Sequence, residues 1–595
     1  MTTKLPVTRL AEESGFVSHD GTRLFFRHWP ALSAAPDNAK KALVFLHRGH
    51  EHSGRVQQLV EQFTPADTAA FAWDARGHGY SPGERGDAPD FMCLVRDFEA
   101  FMQHLSAHYG YGAEQIVVIA NSVGAVIAAT WVHDYAPPLR GLAMAAAAFD
   151  INLYVPLAKP ALRLATCFQP DLFVTSYIRP GMLTHSPQQA SSYASDKLVT
   201  KNISARVLLD LADTAQRIVA DAAALDLPVL MLVAGKDYVV KEKPQHLFFE
   251  RISSVHKKYV RIPDAFHALL YEQDTQLAYQ EVREFVQHCF ALPLPDARPY
   301  LTLDRNGQSA RAYQALSNGQ SISTLQKLNF AIQKHMLHSL GRLSDGMRIG
   351  LETGFDSGSS LDYVYKNQAA GRWGIGKILD RGYLDAVGWR GIRERRVHLQ
   401  QILSEAIQAV PAGQTVRILD LATGGGRYLL ETVKRFGERK FALCLRDYAE
   451  ANLQAAQRLA TELGLADSAR FEQCDAFDAA SYQGDAQYDI VIVSGLFELF
   501  ADNALILNAV RGITRVLAEQ GCVIYTGQPW HPQLAMIAGT LNNHQGQPWV
   551  MRPRSQAELD ALLAETGCRK VRSLIGLQGI FSVSLARRLV PCPAA

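Results

Sequence analysis

The chain has 595 residues, 48% of them apolar, and a formal net charge of only +2. One hydrophobic core does not grow to this size, so we expect two large domains. The near-neutral charge argues against a disordered chain and against the basic surface of a general nucleic-acid binder.

The cysteines and the N-terminus point to a reducing compartment. Eight cysteines, from Cys93 to Cys592, form no C-x-x-C pair and no tight Cys/His cluster. This spacing predicts neither a zinc site nor a disulfide framework, and we expect no metal. Residues 1–15 lack the apolar core of a secretory signal, and no window approaches the length of apolar sequence that spans a membrane. We therefore expect a cytoplasmic protein.

The first part of the chain alternates apolar β-rich runs with helix-like segments, from Leu43 to about Phe290. This rhythm predicts a parallel sheet with helices on both faces. Within it, residues 116–131 read IVVIANSVGAVIAATW, a strand followed by a helix with Ser122 at the junction. The stretch has the form of a nucleophile elbow, G-x-S-x-G, with Ala120 in place of the first glycine. Alone, it also fits a serine that only caps a helix.

A catalytic serine needs a base, an orienting carboxylate and backbone N–H donors for the oxyanion. Asp237 follows the apolar run PVLMLVAGK, and His267 follows VRIPDAF, so each lies just past a predicted strand. An α/β-hydrolase carries its triad in the order serine, acid, histidine. We therefore predict an N-terminal α/β-hydrolase fold in residues 1–290, with Ser122 as nucleophile, Asp237 as acid and His267 as base.

Two upstream stretches, LHRGHEHSGR at 46–55 and WDARGHGYSPGERG at 73–86, resemble motifs of the monoacylglycerol lipase and lysophospholipase branch of α/β-hydrolases. The resemblance covers about residues 15–290. It implies an oxyanion hole formed by the N–H groups of Gly49 and Val123, a helical cap at about 150–220, and a lipid-like ester substrate. The apolar cap suits an acyl chain, although a helical lid with its own hydrophobic core would have the same sequence pattern. A lipid substrate would also permit peripheral membrane contact.

One residue departs from that family. Arg48 stands where the usual His-Gly pair has its glycine, which places a long cation beside the oxyanion loop. Two interpretations are open. The side chain either points outward without consequence or meets an anionic head group of the substrate.

The rest of the chain divides into three segments. Residues 291–320 accumulate prolines and polar residues without a clear period, which predicts a linker. Residues 321–410 are predicted to form a mostly helical extension. Residues 411–595 alternate again between strands and helices, which predicts a second, Rossmann-like α/β domain.

Residues 416–435, VRILDLATGGGRYLLETVKR, read as a strand, a glycine-rich turn and a helix. Consecutive glycines let a backbone approach a ligand closely at a helix N-terminus, but dinucleotide-binding loops share this feature. The form D-x-A-x-G-G-G resembles motif I of class I S-adenosylmethionine-dependent methyltransferases, and later motifs follow in that family's order. The resemblance implies S-adenosyl-L-methionine as the methyl donor, and it implies these cofactor-binding residues: Asp420, Ala422, Gly424, Gly425, Gly426, Asp447, Asp475, Ala476 and Ser494.

Three acidic residues in that set have expected roles. Asp420 would position the methionine moiety near the loop, and Asp447 would accept hydrogen bonds from the ribose hydroxyls. Asp475 would hold the adenine amino group. These roles follow from the family likeness and from hydrogen-bond chemistry, and the sulfonium donor itself needs no metal.

The acceptor side is less well encoded. Trp530 and His531, in the segment TGQPWHPQL, are candidates for the acceptor site, with His531 as a general base; a polar surface insertion is the other interpretation. Residues 362–396, rich in glycine, aromatics and arginine, resemble the helical cover of bacterial methyltransferases fused to such hydrolases. The three arginines at its end are interpreted as a solvated helix face, which we favour, or as a site for an anionic substrate: Arg393, Arg395 and Arg396.

The sequence therefore predicts a bifunctional enzyme, a serine esterase or lipase-like hydrolase fused to a methyltransferase whose acceptor is not encoded. Its partners are expected to be small molecules or lipids. Nucleic-acid methylation is disfavoured by the near-neutral charge and by the lack of an N-P-P-Y-like motif after the fourth strand. In the alternative prediction, one half is a non-catalytic domain that binds a ligand and regulates the other.

Overall fold

A computed structural model describes residues 9–33, 40–294, 296–482 and 487–589. The chain forms two compact units, Met1–Pro295 and Asp296–Ala595. Each unit has its own sheet and its own helices, so each is described by itself.

The first unit is built from ten strands and eight helices within the described residues. Its strands are β1 (Glu12–Val17), β2 (Arg23–Trp29), β3 (Lys41–Leu46), β4 (Thr68–Trp73), β5 (Ile116–Asn121), β6 (Gly141–Ala145), β7 (Phe173–Thr175), β8 (Asn202–Ser204), β9 (Val229–Ala234) and β10 (Lys257–Ile262). Its helices are α1 (Gln57–Phe63), α2 (Phe91–His104), α3 (Val123–Tyr135), α4 (Ala158–Phe168), α5 (Pro187–Ser195), α6 (Ala205–Ala220), α7 (Glu242–Arg251) and α8 (Gln276–Ala291).

Eight of these strands form one sheet in the order β1-β2-β4-β3-β5-β6-β9-β10. From β4 to β10 in this order the six strands run parallel to one another, whereas β2 is antiparallel to both β1 and β4. The central strands are buried along their whole length, as expected for a parallel sheet covered by helices on both faces. The predicted α/β-hydrolase fold is confirmed.

The cap lies between β6 and α6. It contains α4, α5 and the antiparallel pair β7 and β8. Helix α6, which the sequence assigned to the cap, packs against α3 as well as α4 and buries an apolar face. The cap proper is therefore shorter than the predicted range of 150–220.

The second unit contains twelve helices and seven strands within the part of the chain that the structure describes. The helices are α9 (Leu303–Asn306), α10 (Gln308–Ser317), α11 (Thr324–His338), α12 (Asp345–Thr353), α13 (Gly358–Lys366), α14 (Ile375–Leu384), α15 (Val387–Ala409), α16 (Arg427–Lys434), α17 (Glu450–Leu463), α18 (Asn503–Val516), α19 (Leu534–Thr540) and α20 (Gln556–Ala564). The strands are β11 (Val416–Leu421), β12 (Phe441–Asp447), β13 (Ala469–Gln473), β14 (Tyr488–Val493), β15 (Leu517–Gly527), β16 (Cys568–Ile575) and β17 (Ser582–Arg588).

These seven strands form a sheet in the order β13-β12-β11-β14-β15-β17-β16, in which β17 runs opposite to the other six strands. The strand order reverses between β11 and β14. In open α/β sheets, ligands bind at the carboxyl ends of the strands beside such a reversal. The predicted Rossmann-like fold with a helical N-terminal extension is confirmed, and the glycine loop follows β11 at this reversal.

The prediction of a linker over residues 291–320 is wrong for most of that range. Helices α9 and α10 lie within it, and Leu301 packs against the core of the second unit. Asn503 N donates to Asp304 Oδ2 at 3.0 Å, and Arg552 Nη1 donates to Ser309 Oγ at 3.0 Å. Helices this short carry too few turns to show a hydrophobic period, and tertiary contacts stabilise them instead.

Two structural observations concern the features from which the compartment was predicted. None of the described helices has the length and apolar character needed to cross a membrane. The seven cysteines within the described residues are free thiols, and Cys592 lies outside those residues.

Candidate active sites

Ser122 occupies a sharp turn between β5 and α3. Its backbone has φ 53° and ψ −112°, a region that non-glycine residues rarely adopt and that is typical of strained functional turns. A Cβ at Gly124 would lie 2.7 Å from His47 O, so the helix passes too close to the neighbouring loop for any side chain there. Ala120 is fully buried in β5, where its small side chain fits. The alanine at this position is thus compatible with the elbow.

The three predicted triad residues meet. His267 Nε2 lies 2.9 Å from Ser122 Oγ, and His267 Nδ1 lies 2.9 Å from Asp237 Oδ2. Asp237 Oδ1 in turn accepts hydrogen bonds from the N–H groups of Val239 and Val240 at 2.7 and 3.0 Å. The histidine and the aspartate are both almost fully buried. The arrangement can move a proton from the serine hydroxyl to the imidazole while the carboxylate orients the ring.

The proposed oxyanion donors are adjacent. A Cβ at Gly49 would lie 3.0 Å from Val123 Cγ2, so Gly49 packs against Val123, and both line the cavity that contains Ser122. Val123 begins α3, where an N–H group has no partner inside the helix. Within the described chain, neither N–H group donates a hydrogen bond. His47 fixes this loop, because its Nδ1 lies 2.7 Å from Arg48 O and its Nε2 accepts from Ala75 N at 3.1 Å.

A cavity of about 1070 Å³ opens beside Ser122 and His267. Its walls are mostly apolar, and the cap and α6 contribute aliphatic side chains that include Leu153, Val174, Ile178, Leu208 and Leu211. Burial of an alkyl chain against such walls is favourable, at about 0.8 kcal/mol per methylene. The cavity therefore suits the acyl part of an ester.

Arg48 is buried, so the interpretation that it points outward is wrong. Its Nε and Nη2 donate to the carboxylate of Glu51 at 3.0 and 2.6 Å, and its guanidinium lies 5.1 Å from the ring centroid of Tyr271. Arg55 Nε donates to the same carboxylate at 2.9 Å. Arg48 also lines the cavity beside Ser122, while its Nη1 has no hydrogen-bond partner among the described residues.

Two further histidines line the hydrolase cavity, and the sequence reasoning did not single them out. Burial lowers the pKa of His50 to about 4 and that of His78 to about 3, so both are neutral at physiological pH. His50 also has a positive φ of 71°. No motif that the sequence offers marks a histidine in this region of φ.

One cluster in the first unit has metal-ligand residue types. His19 Nε2 lies 3.5 Å from both Cys93 Sγ and Asp97 Oδ1. However, Asp97 accepts hydrogen bonds from Arg76 at 2.8 and 3.0 Å, and burial raises the pKa of the Cys93 thiol to about 12. A protonated thiol and a carboxylate already paired with a guanidinium are poor ligands for a divalent cation. The donor set does not fit a metal.

In the second unit, the glycine loop lies at the base of a cavity of about 400 Å³. Gly424 and Gly426 have φ values of 56° and 64°, where glycine alone is unstrained, and Ala422 adopts φ 52° at the position of the motif's first glycine. A Cβ at Gly425 would meet nothing within 4 Å, so the backbone there is open to a ligand. Of the predicted cofactor-binding residues, five line this cavity: Ala422, Gly424, Gly425, Gly426 and Ser494.

Asp420 and Asp447 support the loop from below. Asp420 is fully buried, and its carboxylate accepts hydrogen bonds from Thr423 Oγ1 at 2.6 Å and from the Tyr428 hydroxyl. Burial raises the pKa of Asp420 to about 7. Asp447 Oδ2 accepts from Gly424 N at 2.8 Å, which ties the loop to the end of β12. Neither carboxylate lines the described cavity, so in this conformation both position the backbone that does.

Asp475 and Ala476 lie farther from the loop. Asp475 is exposed, and its Oδ1 accepts from Phe477 N at 2.8 Å, as in a turn. Ala476 is buried in the core between the sheet and α18. Asp475 does not line the cavity above the glycine loop, and its contact with adenine stays a prediction.

A second and larger cavity, of about 1810 Å³, lies between the helical extension and the carboxyl end of the sheet. His531 lines it, whereas Trp530 packs outside it against the cluster formed by Phe355 and Trp389. The two cavities share Leu361 and Arg395 as wall residues, and the consecutive Ser494 and Gly495 line one each. They therefore meet at the end of β14.

His531 does not have the geometry of a general base. Its Nδ1 accepts a hydrogen bond from Gln533 N at 3.1 Å, so in the neutral ring the proton is on Nε2. Burial lowers its pKa to about 4, which keeps the ring neutral. The other ring nitrogen, Nε2, is therefore a hydrogen-bond donor.

The three arginines of α15 differ in environment. Arg393 donates to Leu384 O at 2.8 Å, and Arg396 pairs with Glu431. Arg395 is only 4% exposed. The interpretation of a solvated helix face is wrong for Arg395, which follows Ile392 and precedes Leu399 on the buried stripe of the helix.

Comparisons with known proteins match both halves. The family model described as "Putative methyltransferase" matches residues 282–588, and the model described as "Serine aminopeptidase, S33" matches residues 37–274. "Uncharacterized protein YnbC" of Escherichia coli (strain K12) is 43% identical over 98% of this chain and 99% of its own length. The monoglyceride lipase of Rattus norvegicus is 26% identical over 46% of this chain and 90% of its own length. The crystal structure of Paleococcus ferrophilus monoacylglycerol lipase aligns with a TM-score of 0.40 and 21% identity, covering 44% of this chain and 99% of that one.

Proposed function

Because the chain belongs to the family described as "Putative methyltransferase" and carries an S33-type α/β-hydrolase domain ahead of it, we propose that it is a bifunctional enzyme. The first unit is a serine ester hydrolase acting on lipid or fatty-acyl esters. The second unit transfers a methyl group from S-adenosyl-L-methionine. The observation that carries the proposal is the continuous hydrogen-bonded chain from Ser122 through His267 to Asp237.

In the hydrolase reaction, Ser122 Oγ attacks the ester carbonyl as His267 Nε2 accepts its proton. Asp237 holds the ring and stabilises the imidazolium. The N–H groups of Gly49 and Val123 stabilise the oxyanion, a contribution that is worth about 3 kcal/mol per donor in related chemistry. His267 then returns the proton to the leaving alcohol, and water hydrolyses the acyl-enzyme by the same steps.

Two observations support a lipid-like substrate. The aliphatic cavity accommodates an alkyl chain, and the relatives of this half include proteins named monoglyceride lipase. The cap also presents exposed apolar side chains along α4 and just before it, among them Leu157, Leu164 and Phe168 at 78, 63 and 83% exposure. We propose that this face contacts a membrane or a lipid aggregate, where such exposed side chains are favourable.

For the methyl donor, the glycine loop and Ser494 form the wall closest to where S-adenosylmethionine would lie. The donor supplies an electrophilic methyl group on a sulfonium, and no metal is needed for its transfer. The chain's contribution is to hold donor and acceptor in line and to exclude water. Asp447 and Asp420 fix the loop for this purpose.

A fluorophosphonate probe tests the hydrolase. Wild-type protein should be labelled and should hydrolyse p-nitrophenyl esters, whereas Ser122→Ala should do neither. Ser191→Ala, at an exposed serine of the cap, is the matched control and should behave as wild type. Equal labelling of Ser122→Ala would show that Ser122 is not the nucleophile, whereas no labelling and no turnover by the wild type would mean that this half binds a ligand without catalysis.

Calorimetry with S-adenosylmethionine tests the second activity. Gly425→Leu places a side chain in the open space above the loop without backbone strain, and it should abolish binding. Gly181→Leu is the control, because a Cβ there also meets nothing within 4 Å and the exposed residue lies in the first unit, outside every cavity named above. If the wild type does not bind the donor, or if Gly425→Leu binds it normally, the cofactor assignment is wrong.

A further inference from the structure

Arg395 lies at the junction of the two cavities in the second unit. It projects from α15, is 4% exposed, and lines both the cavity above the glycine loop and the larger cavity beneath the helical extension. A Cβ at Gly495 would lie 3.2 Å from its Nη2, so the guanidinium covers the turn after β14. This turn is at the carboxyl end of the sheet, where the methyl group would be delivered.

The guanidinium of Arg395 is poorly satisfied. Its ion pair with Glu498 is long, at 3.5 Å between Nη1 and Oε1. The guanidinium also lies over the face of Phe581, at 4.9 Å from the ring centroid. Within the described chain it donates no hydrogen bond, and its Nε is buried without a partner. A guanidinium has five N–H donors, and leaving them unpaired in a buried site is costly.

Two other buried arginines of the same unit show what a structural role looks like. Arg552 and Arg554 are each 3% exposed. All three guanidinium nitrogens of Arg552 donate to acceptors at 2.6–3.1 Å, including the carboxylate of Glu558. Arg554 does the same with Asn503 and backbone carbonyls. Arg395 has the same burial without these bonds, which indicates that its missing partner is a ligand.

The larger cavity indicates what else that ligand contains. Its walls are mostly apolar, from Met347 and Phe355 to Ile537 and Phe581. At its rim, Met336, Leu340 and Ile378 are 52, 52 and 74% exposed, which favours entry of an apolar molecule. The cavity thus joins a long apolar compartment to a buried guanidinium whose ion pair with Glu498 is long and whose Nε has no partner among the described residues.

We propose that the methyl acceptor is an apolar carboxylic acid whose carboxylate binds Arg395, and that the product is its methyl ester. This inference rests on the proposed methyltransferase activity. A carboxylate matches the planar guanidinium with two parallel hydrogen bonds, the geometry for which arginine is best suited. The alkyl chain would occupy the larger cavity.

The reaction balances without a base. A carboxylate oxygen forms a bond to the methyl carbon as the methyl–sulfur bond breaks, and the sulfur keeps the electron pair. An anion and a sulfonium give a neutral ester and the neutral thioether S-adenosylhomocysteine, and no proton is released. This agrees with His531, which lines the larger cavity and whose Nε2 carries the proton and cannot accept one.

Glu498 is a candidate general base for a different kind of methyl acceptor. It lines the larger cavity, Thr526 Oγ1 donates to its Oε1 at 2.6 Å, and its Oε2 has no partner among the described residues. As a general base it would serve a hydroxyl or amine acceptor. As a partner of Arg395 it only positions the guanidinium. Glu498→Gln separates these roles, because the amide oxygen can still accept from Thr526 but cannot take a proton.

The experiment measures binding first. Wild-type full-length protein, loaded with S-adenosylhomocysteine, is titrated calorimetrically with saturated fatty acids of eight to sixteen carbons, with the matching alcohols and methyl esters as comparisons. We expect the acids to bind and the alcohols and esters to bind at least tenfold more weakly. Arg395→Met should weaken acid binding tenfold to a hundredfold, and Arg395→Lys should recover part of it. Arg390→Met, at an exposed arginine of the same helix, should not change it.

Methyl transfer is measured next, from methyl-labelled donor to each compound. Glu498→Gln should retain transfer to the acids. If S-adenosylhomocysteine does not bind the wild type, the proposed function fails and the inference with it. If it binds but no acid does, or if the alcohols bind as tightly as the acids and Arg395→Met changes neither, the carboxylate inference alone is overturned. Transfer to an alcohol that is lost in Glu498→Gln would overturn it in favour of a general base.

Discussion

Replacing Asp420 with asparagine should remove a pH dependence from the stability of the second unit. This carboxyl lies under the glycine loop, fully buried, with Thr423 and Tyr428 as donors. Desolvation raises its pKa to about 7, and the nearby charge of Asp447 acts in the same direction. The native state therefore binds this proton more tightly than the unfolded state does.

This difference in proton affinity sets the direction in which the free energy of unfolding changes with pH. With the pKa raised from 3.8 to about 7, the stabilisation is fully present below pH 3.8 and is lost as the pH rises through about 7. Between pH 5 and pH 8 this group alone removes about 2.5 kcal/mol from the free energy of unfolding. In Asp420→Asn the same pH change should cost about 2.5 kcal/mol less, because the amide does not titrate.

A two-unit chain does not unfold in one step, so the assay must report on the second unit. Urea titrations at pH 5 and pH 8, followed by a hydrogen-exchange pulse at one fixed pH, give midpoints for peptides from β11. Asp478→Asn, at an exposed aspartate of the same unit, is the control. If the wild type and Asp420→Asn lose equal stability between the two pH values, Asp420 is already ionised at pH 5 and the reasoning from its burial is wrong.

Three further outcomes are expected. His133 pairs with Asp134 and Asp221, which raise its pKa to about 9, so its stabilisation is present below pH 6.5 and about 3 kcal/mol is lost as the pH rises through 9. Urea unfolding of the first unit should show this in the wild type and a flatter dependence in His133→Gln. Ala422→Gly should raise the free energy of unfolding of the second unit, obtained from urea titrations of β11 peptides, by about 0.5–1 kcal/mol, because alanine is strained at φ 52°; a decrease would contradict this. Phe168→Glu should reduce co-sedimentation with phospholipid vesicles at least threefold while leaving p-nitrophenyl ester turnover unchanged, and equal sedimentation would exclude α4 from the contact.

The hydrolase site was predictable because its chemistry follows the order of the chain. The triad residues lie at the ends of strands, and the alternating apolar runs of the sequence predict where those strands end. The surroundings of the triad were not readable in the same way. Arg48 could be recognised as a departure, but only the folded loop brings Glu51 and Tyr271 to its guanidinium.

The methyltransferase half shows where motif reasoning loses resolution. The glycine loop was located correctly, since three glycines after a strand constrain the backbone itself. The direct contacts with the donor that were assigned to the acidic residues stay predictions, and the structure shows that Asp420 and Asp447 also bind the loop and that Asp475 is exposed. A motif fixes a residue's place in the fold, whereas the direction of its side chain depends on neighbours that are distant in sequence.

The burial of Arg395 could have been predicted from the sequence. In α15, Ile392, Leu399, Ile402 and Leu403 follow the spacing of a buried helical stripe, and Arg395 falls on it. A charged residue on such a stripe must be paired or must serve a ligand. If that ligand is a carboxylate, the two halves of the chain handle the same class of molecule, because hydrolysis of a fatty-acyl ester releases an apolar carboxylic acid. The acid is an anion at neutral pH and its methyl ester is not. Methylation would therefore remove the charge that hydrolysis creates, which gives a chemical reason for one chain to carry both sites.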